Sequence, residues 1–87
     1  MIIDMESSQG EAIIQIIERD MGERSKENFR WSQQDEAKRL KIEYSTLNKW
    51  LVRRRIERMD IDNIVKLLNS PLGPEIARHL KISIPNE

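Results

Sequence analysis

Apolar residues recur at intervals of three and four along most of the chain, which is the spacing of one face of an α-helix. The first such stripe comprises Ile13, Ile14, Ile16, Ile17 and Met21. Ser8 and Glu11 precede it with the spacing of a capping box, in which each side chain satisfies a free backbone N–H. The pattern therefore predicts a helix over residues 9–21 that Gly22 ends.

The polar segment that follows has no helical period. Residues 23–30 are predicted to form a loop, with Phe29 and Trp31 packing it onto the core. Ser32 and Asp35 then repeat the capping-box spacing, so a second, short helix is expected to run to Leu40.

A third helix is expected almost at once, over residues 44–52. Only Lys41-Ile42-Glu43 separates it from the second helix, and Ile42 is predicted to fill the angle between the two. Helical spacing groups the side chains of the third helix on two faces. The predicted buried face holds Leu47, Trp50 and Leu51, and the predicted outer face holds Tyr44, Ser45, Asn48 and Lys49.

Two further helices are expected in the last third of the chain. Asp60 caps the fourth, which the cluster Asn69-Ser70-Pro71 ends, and Gly73-Pro74 opens the fifth. The alternating tail from Ile82 to Pro85 is predicted to be an extended arm. The expected fold is all-α, a compact five-helix domain over residues 8–81, with a flexible N-terminus (1–7) and a C-terminal arm (82–87).

Composition restricts the function. The 87 residues contain no Cys, and the lone His79 has no partner at metal-ligand spacing, so no metal or cofactor site is expected. His79 near Glu75 and Arg78 is the only arrangement with acid–base potential, and a lone histidine on a short helix is usually a surface residue. We expect no enzyme and no small-molecule substrate. Without a signal peptide or a membrane span, a cytoplasmic protein is expected, nucleoid-associated if prokaryotic.

The formal net charge is zero, but it is unevenly distributed. Residues 1–31 carry 4 basic and 7 acidic groups, residues 32–58 carry 8 and 4, and residues 59–87 carry 3 and 4. The basic excess comes mainly from Lys49, Arg53, Arg54, Arg55 and Arg58. Such a patch can bind a polyanion through counterion release, or it can be the solvated end of a helix, where cations are favoured.

Two helices joined by a three-residue turn form a helix-turn-helix, whose second helix can enter the major groove of DNA. Its outer face would present the hydroxyl, amide and ammonium groups that hydrogen-bond base edges. The candidate base contacts are Tyr44, Ser45, Thr46 and Asn48.

The stretch SQQDEAKRLKIEYSTLNKW resembles the helix-turn-helix of lambda-repressor and Cro-like DNA-binding proteins. The matching residues are Ser32, Gln33, Ala37, Leu40, Ile42, Ser45, Thr46, Leu47 and Trp50. The resemblance extends to the helix order over residues 8–80. It implies a small repressor-like transcriptional regulator that binds double-stranded DNA in a sequence-specific manner.

The resemblance also implies individual roles. Gln33 and Gln34 would contact the sugar-phosphate backbone, while Ser45 and Asn48 would point toward bases. Tyr44 opens the recognition helix, and the implied phosphate contacts beyond it are Lys49, Arg53, Arg54 and Arg55.

Three residues depart from the family pattern. Glu36 stands where an apolar residue is usually buried, so we expect it to pair with a cation or to tilt toward water. Lys41 replaces the usual turn glycine, and it needs either a negative φ or a left-handed penalty of roughly 1 kcal/mol. Glu43 replaces the usual capping serine.

Two questions stay open in the sequence. The same helical module could bind a protein, as antitoxins and antirepressors do, and could use its basic patch on an acidic partner. The oligomeric state is also open, although DNA recognition favours a homodimer on a palindromic site. The expected dimer surface is formed by apolar residues of the fifth helix and the arm, Ile76, Leu80, Ile82 and Ile84. The alternative is that these residues only cover the isoleucines of the first helix.

Overall fold

The computed structural model describes residues 1–80, and within them the protein is mostly helical with one small sheet. The helices are α1 (Ser7–Glu27), α2 (Gln33–Leu40), α3 (Tyr44–Arg53), α4 (Ile61–Leu68) and α5 (Gly73–Leu80). The strands are β1 (Ile2–Asp4) and β2 (Arg58–Asp60). The predicted C-terminal arm, with Ile82 and Ile84 of the expected dimer surface, lies outside the described residues. The assignment of Ile76 to that surface is wrong, because Ile76 is completely buried in the core, and Leu80 packs against the same core.

The sheet was not expected from the sequence. β1 and β2 are antiparallel, with Ile3 opposite Met59, and the Ile61 N–H donates to the Met1 carbonyl at 2.8 Å. The segment 1–7, expected to be a flexible N-terminus, therefore contributes a strand. Three-residue strands are too short to show a reliable alternation of apolar and polar residues, so periodicity could not reveal them.

Helix α1 is longer than predicted at both ends. It continues through Gly22, so the first five residues of the expected loop 23–30 are helical. A helical glycine costs only about 1 kcal/mol relative to alanine, and the rest of the helix outweighs that cost. The start also differs, because the Glu6 N–H donates to the Gln9 side chain at 3.1 Å, two residues before the pairing predicted at Ser8.

The isoleucine stripe of α1 is buried as predicted, and it belongs to one hydrophobic cluster that also contains residues from every other helix. The buried apolar residues from the rest of the chain include Leu40, Ile42, Leu47, Trp50, Ile56, Met59, Ile64, Leu67 and Ile76. The prediction for Phe29 is wrong, since 86% of this residue is exposed, whereas Trp31 is half-buried. No helix in residues 1–80 has both the length and the apolar character needed to cross a bilayer.

Helix α1 approaches the segment after α3 so closely that only glycine fits at residue 10. A Cβ on Gly10 would lie 2.6 Å from the carbonyl oxygen of Ile56. The contact fixes the chain between α3 and β2 against the body of the protein. It thereby positions the basic residues on either side of Ile56.

Candidate nucleic-acid interface

The connection between α2 and α3 forms where the sequence predicts it. The Asp35 N–H donates to Ser32 Oγ at 3.2 Å, and the Ser32 N–H donates to Asp35 Oδ2 at 2.9 Å. This reciprocal cap starts α2 at Gln33 and holds the pKa of the Asp35 carboxyl below its usual value. Leu40 and Ile42 are both buried, so the end of α2 and the turn are fixed to the core.

Two non-glycine residues in the left-handed conformation end the two helices of this motif, Lys41 at the end of α2 and Arg54 at the end of α3. Lys41 has φ 60° and ψ 34°, and Arg54 has φ 53° and ψ 36°. Lys41 thus adopts the second of the two alternatives expected for it, at a cost of roughly 1 kcal/mol. Each of these residues turns the chain sharply where its helix ends, and Glu43 directly precedes α3.

The two predicted faces of α3 exist. Leu47 and Trp50 are buried, whereas Tyr44, Ser45 and Lys49 are exposed, and Thr46 and Asn48 are half-buried. Val52 continues the outer face by helical spacing and is 71% exposed. It was not among the expected site residues, because an apolar side chain near a buried stripe is ordinarily assigned to the core. Helix α3 contains no carboxylate between Tyr44 and Arg53.

The three consecutive arginines at the end of α3, Arg53 to Arg55, do not all point in the same direction. The Arg54 guanidinium makes a bidentate ion pair with Glu18 of α1, with N–O distances of 2.6 and 3.0 Å. Arg53 and Arg55 instead line a groove together with Lys49. The structure therefore brings together three of the four implied phosphate contacts of this run and places Arg54 against α1.

The two glutamines at the start of α2 differ in their surroundings. Gln34 is exposed, whereas Gln33 is half-buried and lines a shallow depression with Leu51 and Val52. Gln33 therefore lies beside the second half of α3. Glu43, the residue that precedes α3, is exposed and makes no capping hydrogen bond through its side chain.

Glu36 neither pairs with a cation nor reaches water, so both expected outcomes were wrong. Its side chain is completely buried, and its Oε1 accepts a hydrogen bond of 2.9 Å from the Trp31 indole. Its Oε2 is buried and receives no hydrogen bond from any described residue. Asp20 of α1 is also buried, and the adjacent cation, Arg39, pairs with Asp20 at 2.9 Å.

Burial and the neighbouring Asp20 carboxylate raise the pKa of Glu36 to about 7. Burial acts on Asp20 in the same direction, but hydrogen bonds from Glu36 and Arg39 outweigh it and lower the pKa of Asp20. Of the two buried carboxyl groups, Glu36 is therefore the one that holds a proton more readily. The packing of α2 on α1 thus includes a buried glutamic acid with a raised pKa, which sequence patterns could not distinguish from an exposed one.

Comparison with protein-family models, with curated proteins and with solved structures gives no match to this chain.

Proposed function

We propose that the protein binds double-stranded DNA in a sequence-specific manner, with α2, the Lys41–Glu43 turn and α3 acting as a helix-turn-helix. Helix α3 enters the major groove, and the protein acts as a small transcriptional regulator of the repressor type. The observation that carries this proposal is the outer face of α3, which presents hydroxyl, amide and ammonium groups with no carboxylate on the helix. A face of that chemistry suits base edges and the negative potential of a groove.

The burial of α2 supports the same arrangement. Glu36, Ala37 and Leu40 fix α2 to the body of the protein, so α3 is held by a rigid neighbour. A recognition helix needs such support because contacts to base edges require a defined register.

The roles follow from position. Ser45 and Asn48 contact base edges, with Tyr44 and Thr46 beside them at the start of α3. Gln33 and Gln34 at the start of α2 contact the sugar-phosphate backbone. Lys49, Arg53 and Arg55 bind phosphates, and two copies of the chain bind half-sites about one helical turn apart.

A protein partner is the second candidate, and one observation favours it. Val52 is 71% exposed and Tyr44 is 45% exposed, and both lie on the outer face of α3. An aromatic and an aliphatic side chain on one helix face can dock on an apolar surface of another protein. They can equally contact thymine methyl groups.

The salt dependence of binding to random-sequence duplex DNA separates the two functions. Phosphate contacts give a linear fall of the logarithm of the binding constant with the logarithm of salt concentration. We expect such a slope for the wild-type protein between low and moderate salt. Absence of duplex binding at every salt concentration would contradict the proposal and would support the protein-partner function.

A further inference from the structure

A groove of about 380 Å³ lies beside the second half of α3 and next to β2. Its floor is apolar, since Trp50 and Ile56 are 5% and 4% exposed. Its walls carry Lys49, Arg53, Arg55 and Arg58, against a single carboxylate, Glu57. This is the strongest local excess of positive charge in the middle of the chain.

The backbone conformation decides which cations of this basic segment reach the groove; the sequence shows only that they are close along the chain. The left-handed conformation of Arg54 turns the chain at the end of α3, so that its side chain pairs with Glu18 while Arg53 and Arg55 both reach the groove. Arg58 of β2, the strand that pairs with β1, lines the same groove. Four cations of the ten residues 49–58 therefore line one groove, whereas Arg54 pairs with Glu18.

The ion pairs within this region compensate the charge only weakly. Arg55 lies 3.0 Å from Glu57, but both side chains are about two-thirds exposed, at 68% and 66%. Arg58 and Asp4 are 3.8 Å apart and are 75% and 93% exposed. Exposed pairs of this kind contribute about 0–1 kcal/mol, so a stronger anion can replace them. Within residues 1–80, Lys49 and Arg53 make no ion pair.

We propose that this groove binds a phosphate group of the DNA backbone next to the bases that α3 contacts, and that Arg58 is one of its ligands. The inference rests on the proposed function and assigns it a further contact from β2. A phosphate carries the charge and the acceptor oxygens that converging guanidinium groups bind. The apolar floor favours this pairing because a low-dielectric wall strengthens the field of the cations above it.

The test compares two arginines that differ in position but not in charge. Arg58→Gln removes a cation from the groove, and Arg54→Gln removes one from the pair with Glu18. Binding of the wild-type protein and both variants to random-sequence duplex is measured over a range of salt concentrations. Thermal unfolding of each variant checks that it is folded.

We expect Arg58→Gln to reduce the magnitude of the log–log salt slope by about one and to weaken binding roughly 5- to 10-fold at 0.1 M salt. Arg54→Gln should leave the slope near the wild-type value. Equal slopes for the two variants, with wild-type protein that binds DNA, would contradict the phosphate site in the groove and leave the proposed function intact. Wild-type protein that binds no duplex would overturn both.

Discussion

The α1–α2 interface and the groove beside α3 both gather charged side chains, but they expose them very differently. At the interface Asp20 and Glu36 are 5% and 0% exposed. In the groove Arg55 and Arg58 are 68% and 75% exposed. Buried charge is costly unless it is paired or neutralised, whereas exposed charge costs little and remains available to a ligand.

The difference separates stability from binding within one small protein. Arg39 pairs with the buried Asp20, and burial raises the pKa of Glu36, so substitutions there should change the free energy of unfolding and its pH dependence. Substitutions in the groove should change affinity for DNA and leave unfolding nearly unchanged. The predictions below test this separation.

The largest effect is expected at Arg39. Arg39→Met leaves the Asp20 carboxylate buried, with the Arg24 Nε 4.0 Å away as the remaining cation. Removing one partner of a buried pair costs about 3–5 kcal/mol, which urea unfolding at pH 7 would measure. The matched control is Arg54→Met, which breaks an exposed pair and should cost less than about 1 kcal/mol. A similar, small loss for both variants would abolish the distinction between the regions.

Glu36→Gln should remove a pH dependence of the free energy of unfolding. The pKa of Glu36 is about 7 in the folded protein against 4.5 for the free side chain. The folded state therefore binds the proton more tightly, so the contribution of Glu36 to stability is fully present below pH 4.5 and is lost as the pH rises to 7. The loss in the wild-type protein is about 3 kcal/mol.

The glutamine amide can still accept from Trp31 and donate to Asp20 at every pH. The Glu36→Gln variant should therefore be nearly flat in this pH range and more stable than the wild-type protein at pH 8. Asp20 acts in the opposite direction, since its lowered pKa contributes stability that is lost as the pH falls below 3.8. Chemical denaturation at several pH values from 4.5 to 8 measures the effect. If the free energy of unfolding changes with pH in the same way for the variant and the wild-type protein, Glu36 is ionised when buried and the prediction is wrong.

The smallest effect on stability is expected in the groove. Lys49→Gln and Arg53→Gln should each change the free energy of unfolding by less than about 0.5 kcal/mol, because both side chains are exposed. Each should reduce the magnitude of the salt slope for duplex binding by about one. A variant that lost stability without a change in slope would place its cation in the fold and outside the binding surface.

Local signals made the helices predictable. The Ser32–Asp35 cap, the Asp60 cap and the isoleucine stripe of α1 act within a few residues, and the structure contains all three. The prediction that Gly22 ends α1 was wrong, because a glycine at a helix end and a glycine inside a helix cannot be distinguished in the sequence. The β1–β2 pairing joins residues that are 54 to 58 positions apart in the chain, and three-residue strands give no periodic signal.

The site was predictable only in part, for similar reasons. The outer face of α3 follows from helical spacing alone. To predict that Arg54 points away from Arg53 and Arg55, one must know that Arg54 has a left-handed backbone conformation, which arginine seldom adopts. The raised pKa of Glu36 depends on its burial and on Asp20, a residue of another helix, so the sequence could show only that Glu36 occupies an unusual position.

Selection of binding sites from a pool of random duplexes tests DNA recognition by α3 most directly, if the wild-type protein is compared with Asn48→Ala. We expect the wild-type protein to enrich a two-fold symmetric sequence. The variant should lose about 1–3 kcal/mol on that sequence and bind random duplex as the wild-type protein does. Failure of the wild-type protein to enrich any sequence, or an equal loss by Asn48→Ala on selected and random duplexes, would contradict the account.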